Sequence, residues 1–243
     1  MLIYGINPVL EALRAGRVEV LRVSARGGGR LREVLRIAES RRVTVRRVEA
    51  AELDRDARGG VHQGVVAEVR AATNHSVADL VRSASGPPLV VVLDGIEDPH
   101  NVGAILRTVD ASGADGVIRQ SRRAARLAGA AAKASAGAVA YVRIAEVVNI
   151  ARAIDELKDL GVWSVGLVGD APTRCDQLDL TGPTAFVLGA EGTGLRRLVR
   201  ERCDWLASIP MRGHVDSLNV SVAAGVALFE AVRQRLAPGG RSA

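Results

Sequence analysis

Three loops carry the residue types from which this chain could build an active site. Asp94–Arg107 (DGIEDPHNVGAILR) holds Asn101, an amide able to cap a helix, Gly103, which lets a backbone approach, and Arg107. Leu188–Leu195 (LGAEGTGL) places three glycines in eight residues. Its main-chain N–H and C=O groups would suit a flat adenine or ribose edge as well as phosphate. The spacing is G-x-x-G-x-G, not the G-x-G-x-x-G of dinucleotide-binding folds, and Glu191 at its centre could position a substrate hydroxyl. The third loop, Met211–Leu218, gathers His214, Asp216 and Ser217 ahead of Asn219 and Ser221, where an apolar helix begins. Each loop is a weak signal alone, the alternatives being a capped helix with a surface arginine for the first and a solvated turn for the second. Arg107 lies six positions after Asn101, about 600° of rotation in a regular helix, so the two converge only if Asn101 precedes the helix. His100 and His214 could act as bases, but a lone loop histidine is more often a hydrogen-bonding spectator.

The elements that must position these loops alternate between strand and helix. Leu89–Leu93 is a continuous apolar run of the kind that fills a buried parallel strand, and Val117–Ile118, Tyr141–Ile144, Trp163–Val168 and Ala185–Leu188 read as further strands. Helices fall at Asn101–Ser112 and Val147–Leu160, which argues for a mainly parallel sheet covered on both faces. All three loops then lie at carboxyl ends of strands, where such sheets bind ligands. The helix after Asn219 is apolar around its whole circumference from Val220 to Phe229, so the chain itself or a second chain must cover every side. Upstream, Asn7-Pro8 reads as the cap and first position of a helix Val9–Ala15. Strands at Val18–Ser24, Val43–Val48 and Val65–Val69, with a helix Leu31–Glu39 and a helical turn Glu49–Asp54, make a small α/β domain. Gly27-Gly28-Gly29 lacks the Lys-Ser/Thr of a P-loop and reads as a mobile turn whose Arg26 and Arg30 could touch an RNA backbone. The division is residues 1–72, a linker 73–87 around a weak helix Val77–Val81, and residues 88–243.

Charge points the same way. Residues 1–70 hold 14 Arg against 9 Asp and Glu, whereas residues 88–243 nearly balance, so the positive excess of a chain with net charge +6 sits where a polyanion would be met. The alternative is an arginine-biased solvated surface. No apolar run reaches membrane-spanning length, no signal peptide opens the chain, and Cys175 and Cys203 have no metal-ligand spacing. A reducing cytoplasm, no membrane and no metal are the expectations.

In order, NVGAILRT (Asn101–Thr108), VLGAEGTGL (Val187–Leu195) and IPMRGHVDSLNVSVAA (Ile209–Ala224) resemble the three motifs of the SpoU (TrmH) branch of the SPOUT RNA methyltransferases. IYGINPVLEAL (Ile3–Leu13) and His62-Gln63-Gly64-Val65 are similar to the small RNA-binding domain, ribosomal-protein-like in fold, that precedes the methyltransferase domain in members acting on ribosomal RNA. The resemblance implies an α/β fold with a C-terminal parallel-sheet SPOUT domain tied in a deep trefoil knot, and a homodimer. It implies S-adenosylmethionine as cofactor, held by Leu188, Gly189, Gly194, Ile209 and Leu218, with Asn101, Arg107, Glu191, Ser217 and Asn219 near the reacting ribose. The expected reaction is 2′-O-methylation of a guanosine in the peptidyl-transferase P loop of 23S ribosomal RNA. Transfer RNA is the alternative substrate, a non-catalytic RNA-binding assembly factor the second alternative, and DNA is not expected. Lys133–Ala138 (KASAGA) resembles a further family segment but departs from it at Ala140, where relatives often carry Glu, and Ala190 replaces a frequent Ser.

Overall fold

The computed structural model describes residues 2–24, 29–70, 75–122, 127 and 129–237. Arg26, Gly27 and Gly28 of the glycine turn, and most of residues 123–128, lie outside them. The chain divides into two compact units, Met1–Ala72 with Pro99–Arg107 and Ala125–Tyr141, and Thr73–Asp98 with Thr108–Ala124 and Val142–Ala243.

The first unit is built on β1 (Leu2–Tyr4), α1 (Ile6–Arg14), β2 (Val18–Ser24), α2 (Gly29–Ser40), β3 (Thr44–Val48), α3 (Ala50–Ala57) and β4 (Val65–Val69). Its four strands run in the order β1-β4-β2-β3, with β2 and β3 parallel and the other pairs antiparallel. The helix expected to start at Asn7-Pro8 begins earlier. Gly5, at φ 93, ends the strand and precedes Ile6 without a side-chain cap, and Pro8 is tolerated because the first turn needs no N–H from it. Two further segments join this unit, the first part of α5 (Pro99–Ser112) and α6 (Ala130–Ala134) with the 3-10 turn Ala138–Ala140.

The second unit is a parallel sheet of β5 (Leu89–Asp94), β6 (Gly116–Gln120), β7 (Ile144–Val147), β8 (Trp163–Leu167), β9 (Thr184–Gly189) and β10 (Trp205–Ala207). Strand order is β10-β8-β9-β5-β6-β7. Every residue of β5 is buried, as its unbroken apolar run predicts. The chain moves outward from β5 to β7, then returns to the other side, so the winding reverses between β5 and β9, whose last paired residues are Asp94 and Gly189. A reversal of this kind opens a crevice at the carboxyl ends of the strands. The strand expected at Tyr141–Ile144 lies three residues later, because Ala138–Ala140 is a 3-10 turn.

The described residues of this unit also include the helices α4 (Val77–Arg82), α7 (Ile150–Asp159), α8 (Arg197–Arg202) and α9 (Val220–Leu236). α4 carries a capping box between Ser76 and Asp79. α9 is not covered on every side by its own chain. Val220, Ala224, Ala227, Leu228 and Ala231 are buried, while Val222, Val226 and Phe229 are about half exposed. The end of α9 is fastened by side chains. Gln234 accepts from the Leu180 amide and donates to the Leu178 carbonyl, and Arg235 donates to the carbonyls of Leu180, Pro87, Pro88 and Gly182. Among the described residues no helix is long and apolar enough to cross a membrane.

Candidate active site

At the end of β5 the carboxylate of Asp94 is fully buried. It accepts from the backbone N–H of Arg196 at 2.8 Å and from Arg196 Nε at 2.6 Å, with Nη2 forming the ion pair. In the amide orientation that satisfies both of its groups, the Gln120 carboxamide accepts from Nη1 and Nη2 at 3.0 Å. A charge-assisted network therefore joins the ends of β5 and β6 to the residue leaving the second glycine loop. Neither Asp94 nor Arg196 is among the site residues expected from sequence. The available signal was a lone carboxylate closing an otherwise apolar strand, which needs a partner when buried.

That glycine loop closes on itself. Ala190 and Gly194 exchange two backbone hydrogen bonds of 3.2 and 2.8 Å. Gly192 and Gly194 stand at φ 78 and 66, in the left-handed region that disfavours a side chain. At Gly189 a Cβ would collide with the backbone of Gly194 and Leu195. Self-packing thus demands Gly189, whereas the side of Gly194 where a Cβ would project faces open space within 4 Å. Leu188 is buried in the strand beneath.

The second and third loops meet through one side-chain pair. Asn219 Nδ2 donates to Glu191 Oε1 at 2.8 Å, while its Oδ1 accepts from the Ser221 amide at 2.9 Å and hydroxyl at 2.6 Å. Asn219 therefore caps α9 and holds Glu191 with the same amide. Ser217 is exposed and donates to Asp216 at 3.3 Å. Ile209 is half-buried, immediately after Ser208, which pairs with the backbone of Thr173 and Cys175, and Leu218 is exposed. His214 is exposed in the same loop.

Asn101 and Arg107 lie in the other unit, on α5. The helix starts at Pro99, a favourable first position, so Asn101 is inside it rather than in the preceding loop. The condition for the two side chains to share a face is not met: Asn101 is 6% exposed and Arg107 is exposed. Between them Gly103 does admit a backbone, that of α6. A Cβ there would stand 2.5 Å from Ala134 Cβ and 2.6 Å from the Ala131 carbonyl oxygen.

Neither thiol offers a nucleophile, since burial pushes Cys175 up to about 11 and Cys203 up to about 12. Among the described residues no group of three His, Cys, Asp or Glu could hold a metal ion. What the geometry offers is a backbone-lined loop with an open side, tied to an amide-capped helix at the carboxyl edge of the sheet.

Residues 88–229 match the SpoU rRNA Methylase family, and residues 2–75 match a domain described as RNA 2′-O ribose methyltransferase substrate binding. The chain is 45% identical to the 23S rRNA (guanosine-2′-O-)-methyltransferase RlmB of Pseudomonas syringae pv. tomato, over 97% of this chain and 96% of that protein. Among solved structures it is similar to the SpoU methyltransferase AviRb from Streptomyces viridochromogenes in complex with AdoMet, at TM-score 0.82 and 28% identity, covering 97% of this chain and 90% of that one. The A. aeolicus TrmH/SpoU tRNA modifying enzyme is similar over 65% of this chain and 82% of its own, at TM-score 0.56 and 31% identity.

Proposed function

Because the chain belongs to the SpoU rRNA methylase family, we propose that it methylates the ribose 2′-oxygen of a guanosine in 23S ribosomal RNA, in the peptidyl-transferase P loop, using S-adenosylmethionine. The observation that carries the target is similarity along the whole chain, substrate-binding domain included, to a ribosomal RNA enzyme. Similarity to the tRNA-modifying relative spans only 65% of the chain.

The residues present fit the cofactor. The open side of Gly194, the main chain from Leu188 and Gly189, and the side chains of Ile209 and Leu218 would hold it, backbone groups suiting adenine and ribose edges and the apolar side chains its flat surfaces. When bound, it supplies a methyl group on a sulfonium, already a good leaving group. The protein's task is then to align the 2′-hydroxyl in line with that carbon and to let its proton depart. A guanidinium offers only N–H donors and no acceptor, so Arg107 orients the hydroxyl or the adjacent phosphate rather than removing a proton. Glu191, steadied by Asn219, and Ser217 complete the ribose side in this reading. Asn101, buried in α5, stands behind the ribose site in the same reading.

A second copy of the chain covering Val222, Val226 and Phe229 accounts for an apolar stripe at positions i, i+4 and i+7 of α9. A trefoil knot, with the segment after β10 threaded through a loop, is part of the same proposal. It is consistent with the Glu191–Asn219 contact and the fastening of Gln234 and Arg235.

Mapping of 2′-O-methylation on total RNA from cells with and without the gene tests the function. One 23S guanosine should lose its mark, and a lost tRNA mark with intact rRNA would replace this reading. Arg107→Ala should lower methyl transfer to a 23S fragment by at least about 100-fold while calorimetric binding of S-adenosylmethionine stays within twofold. Full transfer by that variant would remove Arg107 from the site.

A further inference from the structure

The KASAGA segment touches two partners within the first unit. On one side α6 lies against Gly103, between the positions of Asn101 and Arg107, closely enough that any side chain at Gly103 would displace it. The other side faces the N-terminal domain. Gly137 adopts φ 99, and a Cβ there would strike Glu11 of α1. The Tyr141 hydroxyl lies 3.0 Å from both the Glu11 carbonyl oxygen and Oε2. Arg17, half-buried after α1, donates to the Val139 carbonyl at 2.9 Å and to the Arg70 carbonyl at 3.4 Å. Ile3, Pro8, Ala12 and Val69 line a small cavity on the same side, together with Val139 and Ala140.

We propose that the Ala130–Tyr141 segment is a wedge through which the substrate-binding domain positions the first two turns of α5, making Arg17 and Tyr141 positioning residues for Arg107. Resting on the methyltransferase reading above, this assigns the N-terminal domain a part in turnover as well as in RNA capture. The physical basis is rigidity. At the two glycines the wedge stands at closest approach to α1 and α5, and an arginine bonded to a carbonyl in a half-buried setting resists sliding. A shift of about 1 Å at a substrate-positioning group can cost about 100-fold in rate, so even a small loosening should be visible.

The test uses the full-length Arg17→Ala/Tyr141→Phe double variant, neither position being placed at cofactor or ribose. Single-turnover methylation of a 23S fragment should slow about tenfold at saturating RNA, with RNA and S-adenosylmethionine affinities within twofold of wild type. Amide hydrogen exchange should accelerate at residues 103–107 and 131–135. Arg17→Lys, which keeps a donor for Val139, should recover most of the rate. Unchanged rate in the folded double variant overturns the proposal, as does a slowed rate without faster exchange in α5, or a loss confined to RNA affinity. If the double variant does not fold, Tyr141→Phe alone carries the same exchange measurement, and unchanged exchange there counts against the wedge. Should wild type transfer no methyl to rRNA, the functional reading fails instead, while the exchange result still decides whether the wedge holds α5.

Discussion

Asn219 does two things with one amide, and substitution separates them. Its Oδ1 caps α9 through Ser221, and its Nδ2 holds Glu191. Asn219→Ala should lose about 1 kcal/mol of stability through the missing cap, a fall of about 2–4 °C in Tm for a chain of this size. Methyl transfer should fall further, about tenfold or more, because Glu191 is released. A Tm scan beside a transfer assay checks this, and a variant less stable but fully active would reduce Asn219 to a cap. The thiols make a different residue-scale prediction. Burial holds Cys175 at about 11 and Cys203 at about 12, above the ordinary value of 9.0. Above pH 9 the unfolded chain ionises these thiols while the folded one keeps them protonated. Their contribution to stability is therefore complete below pH 9 and lost as pH rises toward 11 and 12. Denaturant midpoints between pH 7 and 10 should decline over the upper half of that range, and a Cys175→Ala/Cys203→Ala variant should decline less. Residue types at the glycine loop were legible in sequence, but the reason for Gly189 was not, because the clash that requires it comes from the loop's own return.

At the scale of elements, β5 was legible because burial on both faces leaves an unbroken apolar run. Helix starts were less so. Asn7-Pro8 and Asn101 both look like caps, yet Gly5 and Pro99 set the starts, since a left-handed glycine and a proline at the first helical position serve as well as a side-chain cap. The sequence of α9 is apolar all round, and that pattern divides into two faces only in the structure. Ala227 is fully buried and Val226 is 44% exposed, on neighbouring positions of one helix. Ala227→Glu places an unpaired carboxylate in the core and should abolish or severely reduce folded yield. Val226→Glu leaves the fold intact, with circular dichroism and Tm near wild type, but should shift the protein from dimer to monomer by light scattering. A dimeric Val226→Glu protein would send the search for the partner to another surface.

For the molecule as a whole, the separation of charge was legible from sequence and the grouping of segments was not. Residues 125–141 belong with a domain more than fifty residues upstream, through contacts that leave no local periodicity. Charge, by contrast, needs only counting, and the structure shows where some of it is displayed. β3 is an edge strand carrying Arg46 and Arg47, both exposed, beside Arg42 in a left-handed turn. An exposed edge bearing like charges resists pairing with another strand and suits a phosphate backbone instead. If this edge meets rRNA, each arginine displaces a counterion, and log K should fall with log salt by about 0.7–0.9 per phosphate contact. Arg46→Gln/Arg47→Gln should therefore weaken binding of a 23S fragment at low salt and flatten the slope by roughly 1.5. Binding of S-adenosylmethionine should be unchanged, since the substitutions lie on a strand of the other unit from the glycine loop. An unchanged salt slope would place the RNA on another face of the domain. The wedge adds a discriminating feature: loss of charge at β3 should act on RNA affinity and leave the saturated rate alone, the opposite of what loosening Arg17 and Tyr141 should do.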